Sequence, residues 1–591
     1  MPDGKRDRRR VLVLDGDQGS SLAIVRSLGR FGVTVDAGER RRRFLASYSR
    51  YLADALTYPD PLIDPMGFMR ALEDRTKAVH YDLVIPVTED TVQPLAKARD
   101  RIERHAKLAI APNDALEIMT DKVKTFELAK SLGVPVPESR TFTAIDAVEA
   151  AARGLRFPVV VKPARSITNG DRSKRTKLSV GYAHDEHTLR RLAEVAIEKG
   201  GAVVLQEYFR GTGVGLEVLA DRGEIVYAFQ HRRLHELPLT GGGSCLRESV
   251  PVEPMLLEHA QKLIGATGWH GVAMVEFKLD EATKDSRLME VNGRFWGSLP
   301  LAVAAGADFP RFLLELYADR KRPDPVKDAA KIGIVSRKLS EDVYWYVQVL
   351  KPDQEEPLIT WPTRAQIVKD TLLGLSPLHR FDVQSIDDVR PGLIDAVRTG
   401  RWFAERFSSI AKTRSIALEQ KLAQRTGRVK KAIDAAETIL FVCYGNINRS
   451  ILAERSLKHA IGASGPTTSI ASAGFHKETG RPADPMMVKI AAREDLPLEG
   501  TSSQLLNALM IDRADVIFAM EVKHLVRLFE EYPSTKRKAF LLSTAAPPGE
   551  VPFELDDPYG RSEDAYARCF RDVTRATAAI ADTLTRRKGH G

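Results

Sequence analysis

The chain opens on a short apolar run followed by a helix-spaced one. Val11 to Leu14 ("VLVL") reads as a buried strand that meets a turn at Asp15-Gly16. Leu22, Val25, Leu28 and Phe31 then recur at helical spacing, closed by Gly32. A second strand is expected from Val33, and another in "YDLVIPV". Strand–helix–strand alternation predicts an α/β domain with a parallel sheet. The turn "GDQGSS" lacks the three spaced glycines of a dinucleotide fingerprint. It reads as a structural turn, with a role in holding substrate as the minority alternative.

From about residue 119 the pattern changes. "MTDKVKTFELAKSLGVPVPES" predicts a helix ending at Gly133, with Pro135 and Pro137 beyond it. "FPVVVKPARS" predicts a strand ending at Lys162, and "GAVVLQEYFRG" another. "GLEVLADRGEIVYAFQHRRLHE" and "GVAMVEFKLDEATKDSRLMEVNGRFWG" each read as two strands around a polar turn. This is an α+β domain with antiparallel strands. Residues 320–435 carry weaker patterning, with a polar connector ("KPDQEEP") and a basic helical stretch, "FSSIAKTRSIALEQKLAQRTGRVKKAIDAAE". That stretch reads as a solvated connecting helix, with membrane-surface or anionic-partner binding as the alternative. A further α/β domain begins near Glu437.

Several domains are what a 591-residue chain requires. Composition is that of a soluble globular protein, 43% hydrophobic and 28% charged. A formal charge of +9 is modest for this length. It favours a solvated basic surface over nucleic-acid binding and would suit anionic small molecules such as nucleotides. Three widely spaced cysteines match neither a disulfide framework nor a zinc motif, which predicts a reducing compartment. The basic start "MPDGKRDRRR" precedes only "VLVL", too short for a signal-peptide core, and no run of about 18 apolar residues occurs. A cytoplasmic protein without a transmembrane segment is expected.

The first chemical constellation is Glu276, Glu290 and Asn292. If the last two strands pair across their turn, Glu276 falls opposite Glu290 and Asn292 shares its face. Facing carboxylates repel, and a divalent cation with oxygen ligands, such as Mg²⁺, would offset that. An exposed polar hairpin face accounts for the pattern equally well. Lys122, Lys162, the "QEYF" turn, Glu276 and "EVNGR" follow one another in the order and spacing of the ATP-grasp superfamily. Residues 10–320 resemble its carboxylate-amine ligase branch, with the N-terminal α/β unit similar to the domain that precedes it.

The resemblance implies that Lys122 and Lys162 contact ATP phosphates and that Glu207, Tyr208 and Phe209 hold the adenine. It implies Mg²⁺ (or Mn²⁺) on Glu276, Glu290 and Asn292, with Arg294 near the transferred phosphoryl group or acyl substrate. The implied chemistry is ATP-dependent activation of a small-molecule carboxylate as an acyl phosphate, then attack by an amine. Positioning and charge neutralisation, which these residues supply, are what phosphoryl transfer needs. The family often has an acidic ribose contact where this chain reads "GTGVG", and Glu217 is the substitute considered. Lys174, Arg175 and Lys177 could close over phosphates or form a solvated charge run. Arg233 and Arg247 are candidates for an anionic substrate, or ordinary surface arginines. Cys245 has no recognisable partner and is not read as a nucleophile.

The second constellation lies in "FVCYGNINRS". An apolar run delivers Cys443 to a strand end, and "RSILAERSLKHAI" reads as the next helix. The loop between them is a ready anion site, Gly445 permits close backbone approach, and Arg449 offers a planar fork for phosphate oxygens. Such a field favours a thiolate, although a small buried cysteine would show the same local sequence. Far downstream, "ELDDPYGRSEDAY" supplies an aspartate able to protonate a leaving oxygen.

"VCYGNINRS", "ASAGF", "ADVIFAM" and "DDPYG", in this order, resemble the low-molecular-weight protein tyrosine phosphatase family over residues 437–585. That resemblance implies a domain on a four-stranded parallel sheet. It also implies Cys443 as nucleophile, Arg449 as phosphoryl binder, Ser450 as stabiliser of the thiolate and Asn446 as the residue ordering the loop. Asp557 becomes the general acid, Tyr559 a pocket wall, and Asp556 a neighbour. Asn448 stands where many members carry a second cysteine, which argues against redox cycling and arsenate reduction. Ile451 replaces a common proline.

The expected organisation is therefore α/β and α+β, multidomain. It comprises a pre-ATP-grasp domain (1–118), an ATP-grasp domain (119–320), a helical connector (321–436) and a phosphatase domain (437–591). The expected function is bifunctional, an ATP- and Mg-dependent ligase joined to a cysteine-dependent phosphomonoesterase, with a phosphotyrosine protein as a candidate partner. Two alternatives stand beside it: an ATP-binding regulatory module controlling the phosphatase, and a phosphatase acting on a small phosphorylated metabolite.

Overall fold

The computed structural model describes residues 9–163, 180–350, 358–359, 361–462, 467–561 and 563–588. It divides into two compact units, 1–400 and 401–591.

In the first unit, Leu52–Thr57, Thr34–Glu39, Arg10–Val13 and Leu83–Ile85 form a parallel sheet in that order. The strand order reverses beside Arg10–Val13, the kind of position at which doubly wound sheets bind ligands, and Asp15 follows its carboxyl end. The helix Gly19–Arg30 buries Leu22, Val25 and Leu28 as the spacing predicts. It stops before Phe31, which is left exposed as Gly32 turns the chain at φ +90°.

Two antiparallel layers follow. One holds Ser139–Phe142, Val203–Glu207, Val159–Pro163 and Gly181–Ala183. The other has seven strands, running Ser286–Asn292, Gly271–Leu279, Thr212–Asp221, Glu224–Leu237, Gly243–Val250, Val335–Arg337 and His379–Phe381. The helix expected from 119 to 133 is two helices, Asn113–Thr120 and Lys122–Ser131. Asp121 causes the break, because its carboxylate accepts from the amides of Val123 (2.9 Å) and Lys124 (3.1 Å) and starts a new helix at Lys122.

The helical connector expected over 321–436 is corrected. Val335–Arg337 pairs antiparallel with Gly243–Val250, and His379–Phe381 adds to it in parallel. Charge burial holds this extension: the fully buried Arg247 guanidinium donates to Asp382, which also accepts from Ser336 Oγ. The basic helix is longer than expected, Val389–Arg425. Its C-terminal part is not merely solvated. Ile416, Gln420 and Ala423 are buried in the second unit, and Gln420 Oε1 accepts the Leu541 amide at 3.0 Å. Gly427, at φ +69°, separates it from the helix Arg428–Ala435.

In the second unit, Ser469–Gly474, Thr438–Cys443, Val516–Ala519 and Ala539–Leu541 form a parallel sheet in that order. Alternation along the first strand in sequence sends Ile439, Phe441 and Cys443 to one apolar layer, and Leu440 and Val442 to the other. Cys443 therefore ends the strand at which the sheet order reverses, where doubly wound folds bind ligands. No helix among the described residues is long and apolar enough to cross a membrane.

Candidate functional sites

A cleft of about 540 Å³ in the first unit brings together Lys122, Lys162, Glu207, Tyr208, Phe209, Glu276, Glu290, Asn292 and Arg294. The register places Glu276 directly opposite Glu290, as the sequence predicts. Asn292 Nδ2 donates to Glu276 Oε1 (3.0 Å) and Glu290 Oε1 (3.2 Å). Cations relieve the remaining repulsion. Arg233 Nη2 donates to Glu276 Oε2 at 2.5 Å, and Lys122 Nζ lies 3.3 Å from Glu290 Oε2.

Burial raises the Glu276 carboxyl above its usual range despite Arg233. Burial also acts to raise Glu290, but Lys122 and the Asn292 amide outweigh it and its pKa falls. The Lys162 ammonium, desolvated and beside Lys122, is pulled down to about 8. Two carboxylates and an amide make an all-oxygen donor set that fits a hard divalent cation.

Tyr208 and Phe209 lie under Lys278 and Arg287, at 5.0 and 4.8 Å from the ring centres. Beside them is the first residue of the "QEYF" turn, to which the sequence reading gives no role. Gln206 is buried, lines the cleft, and has neither amide atom paired. A buried amide left in this state needs a partner supplied from outside, and an adenine edge would provide one. Arg294 Nη2 donates to Asn292 Oδ1 (3.1 Å) and approaches Glu89 at 3.6 Å.

Other expectations fail. Glu217 is fully buried and accepts from His231 Nδ1 (2.5 Å) and Ser298 Oγ (3.3 Å), so it cannot serve as a ribose contact. Arg247 is buried against Asp382 and does not line the cleft, whereas Arg233 does. Lys174, Arg175 and Lys177 lie outside the described residues.

In the second unit the loop after Cys443 wraps the thiol. Cys443 Sγ lies 3.0 Å from Ser450 Oγ and accepts the Asn446 amide at 3.2 Å. Asn446, left-handed at φ +52°, donates through Nδ2 to Ser450 Oγ and Ser472 Oγ, both at 2.9 Å. Its Oδ1 accepts the Gln504 amide at 2.8 Å. Ser472 in turn donates to Glu454 Oε2 at 2.6 Å. Gly474, the glycine of "ASAGF", permits this closure: a Cβ there would lie 2.7 Å from the Tyr444 carbonyl oxygen and 2.9 Å from the Asn446 amide nitrogen.

Arg449 begins the helix Arg449–Ile461 and is 1% exposed. It donates to Glu521 Oε2 (2.5 Å), the Leu555 carbonyl (2.9 Å) and Asp557 Oδ2 (2.6 Å). Burial acts to lower its pKa, but Cys443, Asp557 and Glu521 outweigh that and raise it. Tyr444 and Tyr559 are exposed on their loops. Asp556 points to Arg561 instead. Asn448 and Ile451 are buried at the helix start, and Cys569 is buried in the helix Glu563–Lys588. Glu521, Ser472 and Glu454 were not anticipated. Ser472 lies inside "ASAGF", Glu454 inside "RSILAERSLKHAI", and Glu521 is the carboxylate directly after "ADVIFAM".

A thiol, a serine, a buried arginine and an aspartate at the switch point of a doubly wound parallel sheet define a cysteine-dependent phosphoryl-binding domain. Residues 438–589 match the family model of low molecular weight phosphotyrosine protein phosphatase. The chain is 34% identical over 149 residues to the low molecular weight protein-tyrosine-phosphatase Etp of Escherichia coli K12, spanning 25% of this chain and 95% of the relative. It is 32% identical over 151 residues to Wzb of Salmonella typhi, 26% of this chain and 96% of the relative. Through its second unit the chain belongs to the low-molecular-weight protein tyrosine phosphatase family.

Residues 200–338 match the family model described as ATP-grasp in the biosynthetic pathway with Ter operon. The chain thus carries a region similar to ATP-grasp domains beside its phosphatase domain. Solved structures similar to part of the chain include a biotin carboxylase from Campylobacter jejuni (15% identity, TM-score 0.44, 56% of this chain and 75% of that one). Another is an L-amino acid ligase from Bacillus licheniformis (16% identity, TM-score 0.43, 56% and 79%).

Proposed function

We propose that the chain is a bifunctional enzyme in which each unit handles a phosphoryl group. In the second unit Cys443 attacks the phosphorus of a phosphomonoester, forming an S–P bond as the P–O bond to the leaving group breaks. Asp557 gives its proton to that leaving oxygen. A water then attacks the phosphocysteine, Asp557 takes its proton, and Cys443 leaves as a thiolate steadied by Ser450 and the Asn446 amide. Arg449 holds the equatorial oxygens. Tyr444 and Tyr559 suit an aromatic leaving group, which supports a phosphotyrosine-type substrate. The observation that carries this reading is Ser450 Oγ 3.0 Å from Cys443 Sγ, with Arg449 and Asp557 paired at 2.6 Å over the loop.

In the first unit we assign Glu276, Glu290 and Asn292 to Mg²⁺ (or Mn²⁺), Lys122 and Lys162 to ATP phosphates, and Glu207, Tyr208 and Phe209 to the adenine. The cation, when bound, would neutralise phosphate charge in the transfer to a carboxylate. Arg294 would hold that carboxylate or the acyl phosphate made from it, which an amine then attacks. We further propose domain boundaries near residues 118 and 400. The facing Glu276 and Glu290 with two lysines in one cleft support this reading.

Two assays test the pair. Purified full chain should release ADP only when a suitable carboxylate and amine are both present, with the product mass showing the new amide; ADP release indifferent to every such pair would reject the ligase. Cys443→Ser should abolish phosphotyrosine-peptide hydrolysis while phosphate still binds. An active Cys443→Ser protein would reject the phosphatase mechanism.

A further inference from the structure

A second set of chemically active side chains lies outside both sites. His235 stands on the strand Glu224–Leu237, between two register irregularities. Its neighbours Arg233 and Glu236 line the cleft, and His235 does not. Its side chain is 1% exposed. Nδ1 lies 2.6 Å from Asp342 Oδ1, and Nε2 lies 3.1 Å from Asp370 Oδ2. The Trp345 ring stacks on the imidazole at 3.5 Å and 5°. Cys245, on the adjacent strand Gly243–Val250, places Sγ 3.7 Å from Asp342 Oδ1. One nitrogen, one sulfur and one carboxylate oxygen, all from buried residues, thus lie within 4.8 Å of one another.

We propose that His235, Cys245 and Asp342 form a divalent metal site of the zinc class, distinct from the cation site of the cleft. The donor types are those that zinc accepts, unlike the all-oxygen set around Glu276. The supports have the form metal sites use. Asp370 holds the Nε2 proton, which fixes the tautomer and leaves Nδ1 to bind. Arg337 holds Asp342 Oδ2, leaving Oδ1 facing the other two donors. Its Nη2 also donates to the Asp370 carbonyl and its Nε faces His379 Nε2 at 3.2 Å.

A divalent cation here would form bonds to Nδ1, Sγ and Oδ1, with the thiol proton passing to solvent as the sulfur binds; no oxidation or reduction is involved. A nucleophilic role for Cys245 fails because the residue is fully buried. Metal here would clip the helix Leu339–Val349 to the strand that carries Arg233 and Glu236.

The test uses full-length protein carrying Cys443→Ser, which removes the phosphatase thiol. Titration with Co²⁺ should give about one equivalent of a near-ultraviolet thiolate-to-cobalt absorption. That absorption should be lost with Cys245→Ser and kept with Glu290→Gln. No thiolate band, or a band that survives Cys245→Ser, overturns the proposal. A second measurement leaves Cys245 intact. X-ray absorption of protein loaded with one equivalent of Zn²⁺ should show one sulfur at about 2.3 Å and an imidazole nitrogen at about 2.0 Å. Zn²⁺ addition in weak buffer near neutral pH should release protons, as binding to a thiol requires. A shell without sulfur, or no proton release, leaves the cluster as an ion-pair network and overturns the metal assignment.

Discussion

Asn446 offers the sharpest test of how the phosphatase loop is held. It is buried, left-handed, and makes three side-chain hydrogen bonds, to Ser450, Ser472 and the Gln504 amide. Each such bond contributes about 1 kcal/mol net. A non-glycine residue without a polar side chain costs a further 1–2 kcal/mol or so in the left-handed region. Asn446→Ala should therefore destabilise the unit by about 4–5 kcal/mol. Asn446→Gly loses the same hydrogen bonds but removes the backbone strain. Its greater unfolded-state freedom returns roughly 0.5–1 kcal/mol of that advantage. Glycine should consequently be the milder change, by roughly 0.5–1 kcal/mol, although it is the smaller residue.

The measurement is the urea dependence of p-nitrophenyl phosphate hydrolysis by full-length protein, with phosphate binding followed in parallel. Both variants should turn over slowly, because Ser450 loses the donor that aims it at Cys443. If Asn446→Ala matches or exceeds Asn446→Gly in stability, the strain argument is wrong. If both lie within about 0.5 kcal/mol of the parent, the hydrogen-bond network contributes little and the loop is held by other means.

Three further outcomes follow from the first unit. Glu290→Gln removes one of two anionic oxygens proposed for the cation, so ADP release should need more Mg²⁺, while phosphatase turnover stays unchanged; equal ADP release at limiting Mg²⁺ would refute the assignment. Lys162 has a pKa of about 8 in the free protein, and ATP phosphates favour its charged form. ATP affinity should be full below that pH and fall about tenfold from pH 7 to pH 9, measured by calorimetry, with the dependence lost in Lys162→Met. A fragment ending at residue 330 lacks Asp342, Asp370 and Asp382 and strands the buried His235 and Arg247. Loss of the Arg247 partner alone costs about 3–5 kcal/mol. Fragment 1–400 should melt well above it, and equal melting temperatures would contradict the correction to the connector.

What the sequence made legible was local. The alternation in "VAMVEFKLD" and "SRLMEVNGRF" determines which side chains share a face, so the pairing of Glu276 with Glu290 follows from the residues alone. The strand "ILFVC", a polar turn and a helix start were enough to place Cys443 at a strand end. Two features were hidden because their partners are distant in the chain. Arg247 read as a candidate for an anionic substrate or an ordinary surface arginine, since its carboxylate comes 135 residues later, at Asp382. The strands Val335–Arg337 and His379–Phe381 are only three residues each, too short for a period to show.

Glu521 is a different case, because physical reasoning on the sequence could have reached it. An arginine at the base of a phosphate loop is buried by the helix it starts, and a buried guanidinium needs an acceptor when no phosphate is bound. Cys443 ends a strand at the point where the sheet order reverses, so the nearest new chain end is that of the strand on its other side. That strand is "VIFA", and the first carboxylate after it is Glu521. The 2.5 Å contact of Arg449 with Glu521 is the arrangement this argument demands. Asp557, at 2.6 Å on the other guanidinium nitrogen, is then the carboxylate proposed to leave the arginine and act on the substrate.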